Sequence, residues 1–509
     1  MESSDIMGLS RLIGGCNMSI VWQRSHLQNL PTIRLAAIQL ENFKSVKNGE
    51  IVLNCGKKHI PYGTQADILG LYGQNGSGKT SLIEALAILK NLLSGDSVPD
   101  EYADCVDVSS DYATLTFTFD VQYPQGTDCI TNGDVRKIVY SVKLSTIDKD
   151  EVERLDVFST EVKEVFDEFL PVSKRCVRVF DEVLKVGGTI HGEKVPLKPF
   201  VDTTKAKSYI EPLTKAKLLV GALDEDKRIQ LGINKRLASE KSQSYVFMQE
   251  MMALFSDNSE YSVYYQMLLE LRKWGREYLY VVDSKSTGMV RMNFMLPFFD
   301  GANILPVPTN DRFTVSNEEF DKLQRDIASL DMVISQIVPG MNVVLKDYGK
   351  TLTKFGEEGH IAELISKRGD KEIPLRCESD GVRKLLVTLN YLIAVYNKQS
   401  VTVAYDEFDA GVFEYLLGEI LQVLQDYGVG QFIFTSHNMR PLEILKKEFV
   451  WFTTTDPEER YIKLTGLGET NNLRKVYYRE IALNEHYDNL YSETKRNKII
   501  SAMRKAGGR

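Results

Sequence analysis

The sequence has few of the residues that build disulfide scaffolds or metal clusters. It contains six cysteines and six histidines among 509 residues. The cysteines lie far apart and none forms a C-x-x-C pair, so neither a disulfide framework nor a Cys/His metal cluster is indicated. Scattered thiols of this kind are typical of proteins from a reducing compartment.

Long apolar runs and a strong charge bias are also absent. No run approaches the ~20 apolar residues that span a bilayer, and residues 1–30 lack the charged and apolar regions of a signal peptide. The net charge is -8, so any nucleic-acid contact has to come from a local basic patch. We therefore expect a cytoplasmic protein without membrane contact, and the chain length predicts two or three subdomains.

A glycine-rich segment at residues 73–80 is the most informative motif. It follows an apolar run that reads as a buried strand, and it opens a predicted helix that ends at Gly95. This context is that of a P-loop, whose backbone N–H groups surround a triphosphate while Lys79 reaches the β- and γ-phosphates and Thr80 binds Mg²⁺. The predicted ATP-binding residues are Gly73, Gln74, Asn75, Gly76, Ser77, Gly78, Lys79, Thr80 and Ser81.

Two apolar strands end in an aspartate that is a candidate partner of this loop. One ends in Asp283, and the other ends in Asp406-Glu407. An Asp-Glu pair supplies a magnesium ligand and a general base at one strand end, whereas Asp283 lacks a neighbouring base. We therefore predict that Asp406 binds Mg²⁺ and that Glu407 polarises the attacking water.

One histidine follows a further buried strand, about thirty residues after the acidic pair. The strand 432–434 is followed by Thr435-Ser436-His437. Alternating strands and helices build a parallel sheet whose carboxyl edge collects polar residues. A neutral imidazole at that edge can hydrogen-bond the γ-phosphate and attacking water, so His437 is a predicted catalytic residue.

The order of these motifs resembles the ABC/SMC-type ATPase superfamily. Its signature corresponds to residues 378–384, at the start of a predicted helix, and its D-loop to Asp409-Ala410-Gly411. The resemblance implies an α/β head with a mixed sheet, an antiparallel β subdomain and a helical insertion. It also implies a head-to-tail homodimer in which Ser379 and Gly381 contact the ATP held by the partner's P-loop. Arg383 and Lys384 would add positive charge beside that signature, and Lys44 is counted among the ATP contacts.

The branch within this superfamily is indicated by several differences between this sequence and other members. Asp380 replaces the first glycine of the Leu-Ser-Gly-Gly signature of transporters, the insertion lacks coiled-coil heptads, and too few residues follow His437 for the Toprim domain of OLD-type nucleases. The motifs resemble the compact bacterial ATPases of anti-phage systems, above all the PARIS type, with Septu and retron-linked ATPases more distant. The segments that carry this resemblance are 42–45, 378–381, 435–438 and 477–481.

This resemblance implies a sensor ATPase, in a homodimer or a higher oligomer, that holds or releases a separately encoded effector such as a nuclease. Its trigger would be a phage protein or DNA. The alternative is a DNA-binding repair ATPase of the RecF or SMC type. The basic C-terminal tail suggests nucleic acid, although a solvated helix face explains the same charges.

The predicted organisation has five parts. They are an N-terminal extension, a first ATPase lobe with the P-loop and the antiparallel β subdomain, a mainly helical insertion, a second lobe with the remaining motifs, and a basic tail. Their bounds are 1–30, 31–204, 205–340, 341–475 and 476–509. Two local patterns are also clear: residues 113–121 alternate as a half-buried strand, and Ser316 with Glu319 forms a capping box before a helix.

Overall fold

The computed structural model describes most of the two predicted lobes and part of the insertion and tail. The predicted N-terminal extension lies outside the described residues. These are residues 31–53, 65–124, 135–148, 175–190, 193–204, 225–256, 262–283, 295–300, 303–464, 472–483, 490 and 496–507.

An antiparallel sheet of six strands forms the first layer. Its order is β2-β1-β4-β5-β6-β7. In β4 the residues are alternately buried and partly exposed, with Ala113, Leu115, Phe117, Phe119 and Val121 facing the core, which confirms the predicted half-buried strand. The strands are β1 (Thr32–Phe43), β2 (Val46–Val52), β4 (Ala113–Gln122), β5 (Val135–Asp148), β6 (Arg175–Ile190) and β7 (Glu193–Asp202).

A second sheet of six strands forms the centre of the molecule. Its order is β18-β17-β3-β16-β15-β8, and the strands are parallel except for β18. Most of its residues are buried, as expected for a parallel sheet covered on both faces. The strands are β3 (Asp67–Tyr72), β8 (Leu279–Val282), β15 (Thr402–Tyr405), β16 (Gln431–Thr435), β17 (Val450–Thr453) and β18 (Tyr461–Ile462).

The remaining strands form two smaller units. β9 pairs with β10 as a hairpin, while β11, β12 and β14 pair with β13 in an antiparallel sheet. The strands are β9 (Met295–Asp300), β10 (Asn303–Pro308), β11 (Phe313–Ser316), β12 (Asn342–Leu352), β13 (Glu358–Arg368) and β14 (Lys371–Pro374).

The helices cover the sheets and carry the site motifs at their ends. α1 contacts strands of both six-stranded sheets and is buried along most of its length, so the helix that follows the P-loop joins the two layers. The helices are α1 (Lys79–Ser94), α2 (Glu225–Glu240), α3 (Gln249–Ala253), α4 (Ser262–Glu277), α5 (Asn317–Ile337), α6 (Asp380–Asn397), α7 (Glu414–Tyr427), α8 (Pro441–Ile444), α9 (Leu473–Leu483) and α10 (Arg496–Ala506).

The segment 205–340 contains strands as well as helices. Its described residues include α2 to α5, but also β8 to β11. β8 pairs with β15 in parallel, so this segment contributes an edge strand to the central sheet beside the Asp-Glu motif. The predicted capping box is confirmed, because Ser316 Oγ accepts a hydrogen bond from Glu319 N and Glu319 Oε2 accepts one from Ser316 N at 2.9 Å.

Candidate nucleotide-binding site

The predicted P-loop connects β3 to α1 at the carboxyl edge of the central sheet. Gly78 caps α1 with a φ of 89°, a left-handed conformation that favours glycine. The Lys79 ammonium donates hydrogen bonds to the carbonyl oxygens of Gly73 at 2.8 Å and Gln74 at 2.9 Å. Lys79 is therefore held against the loop that the sequence predicts to enclose the phosphates.

The electrostatics of Lys79 suit a bound anion. Burial lowers the pKa of the Lys79 ammonium, and the carboxylates of Asp406, Glu407 and Asp409 oppose that shift. A phosphate would stabilise the charged form of this lysine in the same way. The N-terminus of α1 adds a partial positive charge at the same place.

Residues of β17 and β18, and of the turn between them, contact the P-loop. The Tyr461 hydroxyl donates to the carbonyl oxygen of Gly78 at 2.8 Å, and the Ser77 and Thr453 hydroxyls share a hydrogen bond. Arg460 is buried, donates to the carbonyl oxygen of Thr454 at 2.7 Å, and packs its methylene groups near Gly78. These contributors cannot be found from the sequence alone, because they lie more than 370 residues after the loop and form no local motif.

The P-loop contacts the end of the strand that carries Asp406-Glu407 through the side chain of Thr80. The Thr80 hydroxyl donates to Asp406 Oδ2 at 3.1 Å, and the Thr435 hydroxyl donates to Asp406 Oδ1 at 2.6 Å. Oxygen ligands of this kind are what Mg²⁺ prefers, so the hydroxyl of Thr80 and the carboxylate of Asp406 fit a magnesium ion. Asp283 is instead buried and accepts a hydrogen bond from the Tyr102 hydroxyl at 2.9 Å.

Glu407 and His437 follow neighbouring strands and are both exposed at this edge. The backbone of Glu407 has a φ of 49°, a strained conformation for a residue other than glycine. Its N–H donates to the Thr435 hydroxyl at 2.8 Å, and Phe408 N donates to the Thr435 carbonyl oxygen at 3.0 Å. These bonds join the turn that carries Glu407 to the strand that precedes His437.

The D-loop holds the histidine turn in place. The Asp409 carboxylate accepts hydrogen bonds from the backbone N–H groups of His437 at 3.2 Å and Asn438 at 2.9 Å. A shift of the D-loop would therefore move His437.

The signature begins α6, as predicted. Ser379 is its N-cap, and its hydroxyl accepts a hydrogen bond from Val382 N at 3.4 Å. A Cβ on Gly381 would lie 2.8 Å from the carbonyl oxygen of Gly411, so the signature packs against the D-loop of the same chain. Within the described residues, Ser379 makes no hydrogen bond to its own P-loop.

The basic residues predicted to add charge to the signature include Lys384, and its role towards ATP stays a prediction. That lysine is buried, and its ammonium donates to the carbonyl oxygen of Glu407 at 3.1 Å. Burial lowers the pKa of Lys384, and the carboxylate of Asp409 opposes the shift most. Arg383 pairs with Asp380. Lys384 therefore ties the signature helix to the Asp-Glu turn inside one protomer.

Lys44 lies at the junction of β1 and β2 in a left-handed conformation, with a φ of 53°. Its ammonium pairs with the buried carboxylate of Glu84 in α1 at 2.6 Å. The structure thus places Lys44 against the helix that follows the P-loop, and its contact with ATP stays a prediction.

Comparisons with known proteins agree with this site. A family model described as an AAA domain matches residues 37–250, which include the P-loop, and no curated protein matches the chain. The described residues place a P-loop at the edge of a largely parallel central sheet and an antiparallel sheet beside it, which is the mixed α/β architecture that the sequence predicts. The fold class predicted from the sequence is therefore confirmed.

Several solved structures are similar to the chain at low identity. The Smc head domain of Pyrococcus furiosus, bound to the C-terminal domain of ScpA, is 12% identical and has a TM-score of 0.37, covering 89% of this chain and 100% of its own. The SMC head domain of Thermotoga maritima is 12% identical with a TM-score of 0.33, covering 85% and 99%. The recombination mediator RecF with ATP is 11% identical with a TM-score of 0.33, covering 85% and 100%.

A methyl group at Gly381 tests the contact between the signature and the D-loop. In the ATP hydrolysis proposed below, Gly381→Ala should lower the rate about tenfold or more, because the new Cβ pushes the signature away from Gly411 and small misplacements are costly in an active site. Initial rates with saturating ATP measure this. Gly232→Ala is the matched control, since a Cβ there meets no atom within 4 Å. Equal rates for both variants would contradict the role of this contact.

Proposed function

We propose that this chain binds ATP with Mg²⁺ and hydrolyses the bond between its β- and γ-phosphates. The observation that carries this proposal is the hydrogen bond from Thr80 to Asp406, which joins a P-loop to an acidic strand end 326 positions away. Two motifs predicted separately as parts of one magnesium site thus lie within hydrogen-bond distance of each other.

The roles of the individual side chains follow from their positions. Lys79 and the N-terminus of α1 stabilise the phosphates, and Thr80 and Asp406 would hold the magnesium ion, which neutralises charge on the phosphate oxygens. Glu407 orients the attacking water and accepts its proton. His437 donates a hydrogen bond towards the γ-phosphate, while Asp409 positions the backbone of the histidine turn.

The second half of each site comes from a partner subunit. Ser379 and Gly381 lie at a helix N-terminus, which favours an anion, yet Ser379 makes no hydrogen bond to its own P-loop within the described residues. In the proposed homodimer they contact the ATP on the partner's P-loop. ATP then favours the closed dimer, because its γ-phosphate binds that state better.

Magnesium removal is the direct test of the proposed activity. The purified chain should release phosphate from ATP, and excess EDTA should stop the reaction, because Thr80 and Asp406 alone leave the phosphate charge uncompensated. Added Mg²⁺ should restore the rate in the wild type. The Asp406→Asn variant should need a higher Mg²⁺ concentration, with Asp283→Asn as the matched control. Hydrolysis that persists in EDTA would contradict the magnesium site.

We also infer that the chain regulates a separately encoded effector, such as a nuclease of an anti-phage system. The observation that supports this is the resemblance of its motifs to the ATPases of such systems. ATP-driven closure and reopening would hold and then release the effector, in response to a phage protein or DNA.

Incubation with nucleic acid distinguishes this role from its alternatives. The purified chain with ATP and Mg²⁺ should leave DNA and RNA intact, because the free energy of ATP hydrolysis is used for conformational change. Cleavage that disappears in Lys79→Ala would contradict a separate effector. ATP-dependent binding of duplex DNA that weakens steeply with salt would instead favour the repair ATPase of the RecF or SMC type.

A further inference from the structure

A helix near the C-terminus carries an apolar stripe that is exposed to solvent among the described residues. No residue of α10 is buried. Ile499 and Met503 lie one turn apart, Ile500 borders them, and Met503 is 71% exposed. An amphipathic helix normally packs its apolar side against a partner, so this stripe is a candidate contact surface.

The positive charge of α10 limits the kind of surface that it can bind. The helix contains four basic residues and no acidic one. A suitable partner surface is therefore apolar at its centre and acidic at its border. The basic residues are Arg496, Lys498, Arg504 and Lys505.

Such a surface lies between α5, α6 and α7. The three helices line an apolar groove of about 660 Å³ that opens to solvent. Met332 and Val423 on its walls are 68% and 48% exposed. Its principal apolar residues are Met332, Ile337, Leu392, Tyr396, Ile420 and Val423.

The groove also has the complementary charge. Glu419 lines it directly, and α7 carries Glu414, Glu419 and Asp426 without any lysine or arginine. The part of α6 that lines the groove, from Leu389 to Asn397, is uncharged. The charged residues of α7 are therefore all acidic, which suits a basic helix docked in the groove.

We propose that α10 of one copy docks in the groove of a second copy. Within the part of the chain that the structure describes, both surfaces are exposed, so exchange between copies covers the stripe and the groove at once. Leu392 lies 13 residues after Ser379, about 20 Å along α6. This contact is therefore separate from the proposed ATP sandwich, and it would join ATP-linked dimers into a larger assembly.

Sedimentation of the full-length chain without nucleotide tests the proposal. The chain should self-associate, and either Met503→Asp on α10 or Val423→Asp in the groove should raise the dissociation constant more than about tenfold, because each buries a charge in an apolar contact. Ser501→Asp is the matched control, since it adds the same charge on the opposite side of α10. It should leave association nearly unchanged. Failure of ATP binding would not affect these measurements.

Mixing the two variants separates this contact from a general loss of folding. Met503→Asp keeps an intact groove and Val423→Asp keeps an intact α10, so the mixture should form dimers at concentrations where each variant alone stays mostly monomeric. A labelled peptide of residues 496–507 should also bind the Met503→Asp chain, and Val423→Asp should bind it more weakly.

Several outcomes would overturn the proposal. One is a wild-type chain that stays monomeric at all concentrations tested. If such a monomeric chain also binds the peptide, α10 docks in the groove of its own protomer. Another is association that neither variant weakens. Binding of a monomeric chain to anionic vesicles, lost in Met503→Asp, would instead assign α10 to a membrane surface.

Discussion

Replacing Glu407 by glutamine is expected to lower the turnover of ATP by about 100-fold or more, the usual contribution of a general base. The amide is nearly the same size as the carboxylate but cannot accept the proton of the attacking water. ATP binding should change by less than about threefold, because phosphate binding is assigned to Lys79 and the helix N-terminus. Single-turnover hydrolysis and equilibrium binding of labelled ATP measure the two effects separately.

The matched control for this substitution is Glu414→Gln. Glu414 is also an exposed glutamate, in the first turn of α7, and its replacement should leave turnover unchanged. The strained backbone of Glu407 makes stability a second control, so both variants need equal melting temperatures. A folded Glu407→Gln protein that turns over ATP at the wild-type rate would place the base elsewhere.

Mixing two inactive variants is expected to restore hydrolysis, because each proposed site combines two protomers. Lys79→Ala should remove ATP binding, and Ser379→Arg should block the signature that faces the partner's ATP. The mixed dimer retains one site with an intact P-loop and an intact signature. A random mixture should recover about a quarter of wild-type activity, since half of its dimers are mixed and each has one complete site of two.

The control for the mixture is a chain that carries both substitutions. Combined with Lys79→Ala, it leaves no intact P-loop in any dimer and should recover nothing. Subunit exchange is checked first with differently tagged chains, because a stable assembly through α10 would slow mixing. Absence of recovery after confirmed exchange would contradict the composite site.

The local motifs were predictable because they depend on residues close in the chain. The P-loop between strand and helix, the cap at Ser379 and the capping box at Ser316 each need only a few neighbouring residues. The alternation in β4 and the acidic end of β15 were equally readable, since strand periodicity is local. The choice of Asp406 over Asp283 was also made from the sequence, and the contact with Thr80 supports it.

Other features depended on tertiary structure. Lys384 is the last residue of the signature segment, yet its ammonium is directed into its own protomer, where it donates to the carbonyl oxygen of Glu407. Lys44 pairs with Glu84, which no spacing rule connects to it.

By itself, the sequence predicted a P-loop and a magnesium site, because phosphate and magnesium ligands are recognised by residue type within short motifs. Only the tertiary structure decided how that site is supported. Thr453 and Tyr461 contact the P-loop from β17 and β18, the two strands on one side of β3, and Thr435 joins Asp406 to the backbone of Glu407. These contacts arise from the order of strands in a sheet, which sets distant residues side by side and leaves no periodicity in the sequence.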